Sequence, residues 1–178
     1  MKSDIITVDN RGNGFSDAMA ETLKAASYVG LDEKKSLRLQ LITEEMLSMA
    51  RSITGEMKGK FWLESEETRF ILHLSTKTVM DKEKRSQLIN AATSRQNEAA
   101  GTFLGRLRDA FEQAMAADVS YEDQEVPRDL YYDLPNIMVD DSGWDGYERS
   151  VLRRLADNVK IGIRGGHVDM TVSKDFAE

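Results

Sequence analysis

The hydrophobic positions of the chain follow two periods, which alternate in blocks. The run Ile5–Val8 predicts a strand, and the helical pattern after it extends from Ser16 to about Val29, where Gly30 ends it. A second helical pattern covers about Leu37–Ile53, with Asp32 as its N-terminal cap. Its apolar residues fall within an arc of about 100°, which is the narrow stripe of a helix packed on a core.

Two pairs of alternating segments predict β-hairpins. Residues 61–64 and 69–75 flank a polar turn at 65–68. Residues 159–164 and 167–172 alternate strictly on both sides of Gly165-Gly166, the strongest hairpin signal in the chain. Between the hairpins, helical spacing predicts three further helices, at about 81–93, 97–116 and 144–157.

The order strand, two helices, hairpin, helices, hairpin predicts an α+β fold. We expect a two-layer α/β sandwich, with helices packed on one face of a mixed, mostly antiparallel sheet. With 178 residues, of which 40% are apolar, the chain can form one core, so we expect a single domain over 1–178.

Composition excludes several chemistries. The chain has no cysteine, which removes disulfides, thiolate nucleophiles, zinc fingers and iron–sulfur clusters, and its two imidazoles, His73 and His167, are too few for a transition-metal site. No apolar run approaches the roughly 20 residues that cross a membrane, and Met1–Asp4 lacks the apolar start of a secretory signal. We therefore expect a cytoplasmic protein.

The negative charge is concentrated in one segment. Residues 112–148 hold eleven acids and one base, Arg128; their −10 and the +3 of the remainder make the net charge of −7. We interpret the segment as an acidic insertion, either a solvated loop or a docking segment in which Tyr131, Tyr132 and Trp144 anchor a partner or fold over a pocket. The net charge argues against nucleic-acid binding and favours a protein or nucleotide partner.

Two glycine-containing segments imitate ligand loops. Asp9–Gly14 resembles a nucleotide glycine box, but it precedes the helix that should come before such a box. Asp141–Gly146 imitates a calcium loop, but the twelfth position is Leu152 where a bidentate glutamate is required. We predict a turn at both places.

The element order and two stretches of sequence carry a resemblance to a known superfamily. Gly14-Phe15-Ser16 through Gly30-Leu31-Asp32-Glu33, and then residues 37–45, resemble the ATP-binding domain of anti-sigma-factor serine kinases. These bacterial signalling proteins belong to the histidine-kinase-like ATPase superfamily. The likeness covers most of the chain, omits the acidic insertion and resumes at Leu155–Val159 and the last hairpin. It implies that ATP would lie between the helices and a lid.

In that superfamily the second helix carries a glutamate that orients or deprotonates a nucleophile, followed four residues later by an asparagine that coordinates Mg²⁺. Glu45 matches the glutamate and borders the apolar arc, whereas Glu44 points to solvent. Position 49 is Met, whose thioether is too soft for a cation that prefers oxygen ligands. The resemblance therefore implies a helix with its catalytic glutamate and without its magnesium ligand.

The next superfamily motif is an Asp-x-Gly-x-Gly box that binds adenine. Counting back from Asp81, its three places are Ser75, Lys77 and Val79. Neither glycine is present, and a serine hydroxyl is a weaker acceptor for the adenine amine than a carboxylate.

A glycine-rich lid that leads into a helix is the third motif, and residues 94–106 resemble its exit. Gly101 fits the last lid glycine, and Ala99 replaces an earlier one. Arg95 and Arg106, together with Lys77, would supply positive charge for a phosphate. ATP or ADP binding is therefore expected to be weak, and Mg²⁺ is not expected to support it.

The residues leave three functions open. The leading interpretation is a regulatory, ATP-binding-like domain that resembles an anti-sigma factor and acts through a protein partner, with nucleotide binding weakened or lost. Loss of the metal ligand argues against an efficient kinase or ATPase. The first alternative is a working serine kinase with Glu45 as base. The second is a nucleotide-free scaffold whose acidic insertion binds a basic partner. A transcription regulator is one candidate partner, and a homodimer also stays open.

Overall fold

The computed structural model describes residues 1–54, 58–100 and 151–177 of the 178-residue chain. Residues 151–155 are helical, and a short 3₁₀ turn covers Glu98–Ala100. The strands and helices with defined bounds are β1 (Ile6–Asp9), α1 (Phe15–Val29), α2 (Glu33–Thr54), β2 (Lys58–Glu66), β3 (Arg69–Lys77), α3 (Lys82–Ala91), β4 (Asn158–Arg164) and β5 (His167–Asp175).

The five strands form one sheet in the order β1-β2-β3-β5-β4, and every pairing between them is antiparallel. The α+β class is confirmed. The expected mixed character is wrong for these strands, because the two hairpins join along β3 and β5, which run in opposite directions. Within the described residues, parallel pairing is limited to an isolated bridge between Asn97 and Ile161.

One face of the sheet is buried under the helices. In β3, Phe70, Leu72 and Leu74 are buried, whereas the residues between them are only half-buried. Leu39 and Ile42 of α2 belong to the same core cluster as these strand residues. The helices therefore form one layer and the sheet the other, as expected for a two-layer sandwich.

We call the opposite face of the sheet the open face. Its residues are half-buried or exposed, and strand register places them beside one another across β2, β3 and β5. Its central residues are Lys60, Trp62 and Glu64 of β2, Ile71, His73 and Ser75 of β3, and Asp169 and Thr171 of β5.

The ends of α1 confirm the predicted stops. Gly30 has φ 80°, and the N–H groups of Gly30 and Leu31 donate to carbonyls of the last helical turn. At the other end Gly14 has φ 79° and packs so closely on β1 that a Cβ there would lie 2.0 Å from the carbonyl oxygen of Thr7. The Asp32 carboxylate accepts a 2.7 Å hydrogen bond from the Lys35 N–H, which confirms it as the cap of α2.

The predicted turns within the described residues are also present, whereas the one at Asp141–Gly146 lies outside them. The Asp9 carboxylate accepts hydrogen bonds from the N–H groups of Arg11 and Asn13, so the segment after β1 forms the predicted turn. Gly165 and Gly166 both have positive φ, 54° and 78°, and link β4 to β5 as predicted. The β2–β3 turn is two residues, 67–68, and is tighter than the predicted 65–68.

The edge of β4 is covered by a segment that the sequence did not reveal. Asn97 accepts from the Ile163 N–H at 2.8 Å and donates to the Ile163 carbonyl at 3.0 Å, so a side-chain amide extends the sheet. The predicted helix over 97–116 is wrong at its start, because Asn97 lies in this contact and a 3₁₀ turn follows. The rest of that helix, the acidic insertion and residues 144–150 lie outside the described residues.

Candidate functional site

The two predicted positions on α2 have different environments. Glu45 is half-buried and Glu44 is exposed, which confirms that Glu45 borders the apolar face. Met49, one turn later, is 1% exposed and belongs to the hydrophobic core. Its thioether therefore packs among apolar side chains and presents no donor atom to solvent.

Ser75 lies on the open face, on the other side of the sheet from α2. Its hydroxyl donates a 2.7 Å hydrogen bond to the Asp169 carboxylate on β5. Because side chains alternate along a strand, the neighbour that points toward the helices is Thr76, which is 4% exposed. The structure therefore does not bring Ser75 and Met49 to a common cavity.

The remaining candidates are dispersed. Lys77 ends β3 with an exposed side chain, and Val79 is 85% exposed. Arg95 is exposed and adopts φ 54°, in a turn closed by its N–H donating to the Ala92 carbonyl. Gly101 and Arg106 lie outside the described residues.

The described residues do not bring the predicted site residues together around one cavity. They contain no group of three histidine or acidic side chains that could hold a metal ion. One cleft of about 490 Å³ lies at the edge of the sheet beside Lys2, Glu64 and Arg69, and another lies against the start of α2. Neither cleft is lined by Glu45, Met49 or Ser75.

The open face instead carries a cluster of aromatic and charged groups. The rings of Trp62 and His73 stack with their centroids 4.8 Å apart and their planes 6° apart. His73 Nδ1 lies 3.4 Å from the Thr171 hydroxyl, and Nε2 lies 4.0 Å from a carboxylate oxygen of Glu64. Glu64 in turn pairs with the Lys2 ammonium at 2.9 Å. The cluster joins three strands with the N-terminal segment.

Burial dominates the electrostatics of His73. It lowers the pKa of His73 by disfavouring the charged imidazolium; the Glu64 carboxylate raises that pKa and the Lys2 ammonium lowers it, with a net effect below the usual value. The pKa of Glu64 is also below its usual value, mainly because Lys2 donates a hydrogen bond to its carboxylate. The folded protein therefore favours a neutral His73 beside an ionised Glu64.

Five cations lie on the open face, four of them toward one end and Lys160 in the row of Thr171 and His73. We call them the basic stripe: Lys58, Lys60, Lys77, Lys160 and Arg164. Register aligns Lys77 with His167 and Arg164 in one row across the sheet, and it pairs Lys58 with Asp9 on β1.

The five side chains of the basic stripe are exposed. In the described part of the chain none of them forms an ion pair, whereas four lysines elsewhere do so, namely Lys2, Lys24, Lys84 and Lys174.

Acidic side chains near the stripe are already hydrogen-bonded. Asp9 accepts from the backbone of its own turn and from the Asn13 amide, and Asp169 accepts from Ser75. Sequence reasoning missed the stripe. The predicted strand 61–64 begins too late to include Lys58 and Lys60; in the longer strand β2 their even spacing places both side chains on one face.

No protein-family model matches the chain, and no curated protein matches it either. Within the described residues, no helix is both long and apolar enough to cross a membrane. The function is therefore argued from the geometry of the chain itself.

Proposed function

We propose that this chain is a regulatory protein of the anti-sigma type, which acts by binding another protein and has weakened or lost its binding of nucleotide. The two-layer α+β architecture and the order of its elements support the proposal, because they agree with what the resemblance to the histidine-kinase-like ATPase superfamily implies. We also propose, on the same grounds, that the chain has the fold of the histidine-kinase-like ATPases.

One observation carries it: the burial of Met49. A magnesium ligand must present oxygen to a cation that retains several waters, and the side chain at this position is a thioether with 1% exposure. Ser75, the candidate adenine acceptor, has its hydroxyl bonded to Asp169 on the far face of the sheet. The described residues therefore do not fit Mg²⁺-ATP, which argues against phosphoryl transfer by this chain.

Protein binding is favoured by the surfaces that the fold leaves exposed. The open face presents the Trp62–His73 stack next to the basic stripe, and aromatic side chains are enriched at protein interfaces. On the helical side, Tyr28 is 78% exposed and Leu37 57% exposed. Tyrosine is among the residues that contribute most to the binding energy of protein interfaces.

Calorimetry tests the nucleotide half of the proposal. ATP and ADP are titrated into the full chain with and without Mg²⁺. We expect no binding tighter than about 1 mM, a free energy of only about −4 kcal/mol, and no effect of Mg²⁺. Micromolar, Mg²⁺-dependent binding contradicts the proposal, and phosphate transfer that disappears in Glu45→Ala establishes the kinase instead.

The protein-binding half needs a variant that damages the surface and not the fold. Proteins captured by the wild-type chain are compared with those captured by Trp62→Ser and by Tyr28→Ser, which alter opposite sides of the molecule. We expect one of the two variants to lose a partner that then binds the purified wild-type chain directly. Equal capture by all three chains contradicts a role for either surface.

A further inference from the structure

The basic stripe is five exposed positive charges that form no ion pair in the described part of the chain, although Asp9 and Asp169 border it. Neighbouring strands lie about 4.8 Å apart, so Lys77 and Arg164, two strands apart in one row, are separated by roughly 10 Å at the backbone. Like charges at this spacing repel one another unless an anion lies between them. The stripe therefore favours an occupant with several negative charges in series.

The same chain contains such an occupant. Residues 112–148 carry eleven acids and one base, a net charge of −10 within 37 residues, whereas the rest of the chain carries +3. No other segment of the sequence concentrates charge to this degree. The negative charge is thus concentrated in one segment of the sequence, whereas the basic stripe is brought together by the fold from three strands.

The described chain also leaves the fold beside the stripe. The 3₁₀ turn Glu98–Ala100 contacts β4, and a Cβ on Gly162 would lie 3.7 Å from the Cβ of Ala99. Gly162 lies between Lys160 and Arg164 on the open face of β4, because residues two apart in a strand share a face. Residues 101–111 span up to about 36 Å when extended, or about 16 Å as a helix, against a sheet of five strands about 19 Å wide. The acidic segment can therefore reach the stripe.

We infer that the acidic segment, residues 112–148 of this chain, binds the basic stripe of the open face. The inference rests on the proposed function in taking the open face as a protein-binding surface, and it names the chemistry which that surface recognises: a polypeptide rich in carboxylates. Contact between exposed ions is sensitive to salt, so the docked state weakens as ionic strength rises.

Zero-length carbodiimide coupling tests the contact in the full chain, because it joins a lysine to a carboxylate only where the two touch. We expect mass spectrometry to find links from Lys60, Lys160 or their stripe neighbours to acids of 112–148. The double variant Lys60→Glu/Lys160→Glu should reduce links at the remaining stripe lysines about tenfold. The matched control, Lys34→Glu/Lys82→Glu, changes the charge equally at exposed sites on the helical layer and should leave these links unchanged.

Two further experiments identify the molecule that binds the basic stripe. Coupling of a mixture of ¹⁵N-labelled and unlabelled chains should give links within one isotope; mixed-isotope links in the proportion of random pairing would assign the contact to a second copy and overturn the inference. A single-stranded oligonucleotide that binds at micromolar concentration, and is lost in Lys60→Glu/Lys160→Glu, would also overturn it.

A second readout does not depend on coupling. The chain has two tryptophans, so Trp62→Phe leaves Trp144, within the acidic segment, as the one tryptophan, which is excited selectively at a wavelength where tyrosine does not absorb. Raising the salt from about 0.1 M to about 1 M shortens the Debye length from about 10 Å to about 3 Å and should increase the quenching of Trp144 by acrylamide. Salt-independent quenching, with no stripe-dependent links, rejects the contact. Nucleotide calorimetry is unaffected by either result, so this inference and the proposed function can fail separately.

Discussion

The imidazole of His73 lies parallel to the indole of Trp62, with 4.8 Å between their centroids. The stack bridges the two central hairpin strands on the open face, and it shields the histidine from water on one side. His73 Nε2 has no hydrogen-bond partner in the described part of the chain, and its nearest carboxylate oxygen, on Glu64, is 4.0 Å away. A proton added at this nitrogen would therefore be poorly solvated, which is the physical cause of the lowered pKa.

We expect His73 to titrate below the unperturbed value of about 6.5, as measured by NMR of its ring protons. Because the unfolded chain then binds more protons than the folded one between the two pKa values, stability should fall as the pH drops from about 6.5 through the folded pKa. Above about pH 6.5 His73 is neutral in both the folded and the unfolded chain, so this loss of stability is absent. Urea unfolding from about pH 7.5 to about pH 5 measures whether the free energy of unfolding falls as predicted. For His73→Phe we expect the free energy of unfolding to depend less on pH.

Substitution of two charged neighbours of His73 should shift its pKa in opposite directions. Glu64→Gln removes the carboxylate that raises the pKa of His73, so its midpoint should move further down. Lys2→Gln removes a positive charge that lowers it, so the midpoint should move up. A midpoint that does not respond to either variant, or one above 6.5 in the wild type, contradicts the assigned electrostatics.

The contact between α1 and β1 predicts a large effect at one glycine and a small one at another. A Cβ at Gly14 would overlap the Thr7 carbonyl at 2.0 Å, so Gly14→Ala should cost about 3 kcal/mol or more of unfolding free energy. Gly30 has nearly the same φ but open space around it, so Gly30→Ala should cost only the backbone strain of about 1–2 kcal/mol. Thermal and urea denaturation measure both, and equal losses would mean that the close approach is absent.

Met49 tests whether its position belongs to the core or to a binding site. Met49→Asn restores the residue of the superfamily motif, but here it buries an amide among apolar side chains and should cost about 2–4 kcal/mol. Met49→Leu preserves volume and polarity and should cost less than about 1.5 kcal/mol. Recovery of the Asn variant by Mg²⁺ and ATP would contradict the core assignment, because only a ligand at that amide could restore the lost stability.

The sequence predicted most of the architecture because local signals agreed with tertiary packing. The stop at Gly30, the cap at Asp32 and the turn at Gly165-Gly166 each depend on residues within a few positions of one another, and all three are present. The mixed sheet and the start of the predicted helix at 97 were wrong. Both depend on which strands meet across the long interval between residues 77 and 158, and periodicity carries no information on that pairing.

The candidate site was less predictable for a related reason. Counting positions back from Asp81 assigned Ser75, but a shift of one residue along a strand reverses the face on which a side chain lies. Burial of Phe70, Leu72 and Leu74 fixes the phase of β3, so Thr76 points to the helices and Ser75 to the open face. The alternation was visible in the sequence, and the choice of the buried face required the pairing of β3 with its neighbours.

The side-chain amide of Asn97 holds the segment that covers the edge of β4, which leads to the last prediction. It accepts from the Ile163 and Ala99 N–H groups and donates to the Ile163 carbonyl, at 2.8, 3.1 and 3.0 Å, from a site that is 9% exposed. Asn97→Ala should therefore leave polar backbone groups of β4 unpaired and cost about 2–3 kcal/mol, with faster hydrogen exchange at the Ile163 amide. Gln96→Ala, an exposed neighbour, should stay within about 0.5 kcal/mol of the wild type. If the Ile163 amide exchanges equally in both variants, Asn97 does not secure this edge, and the chain must leave the sheet by another route than the one beside Lys160 and Arg164.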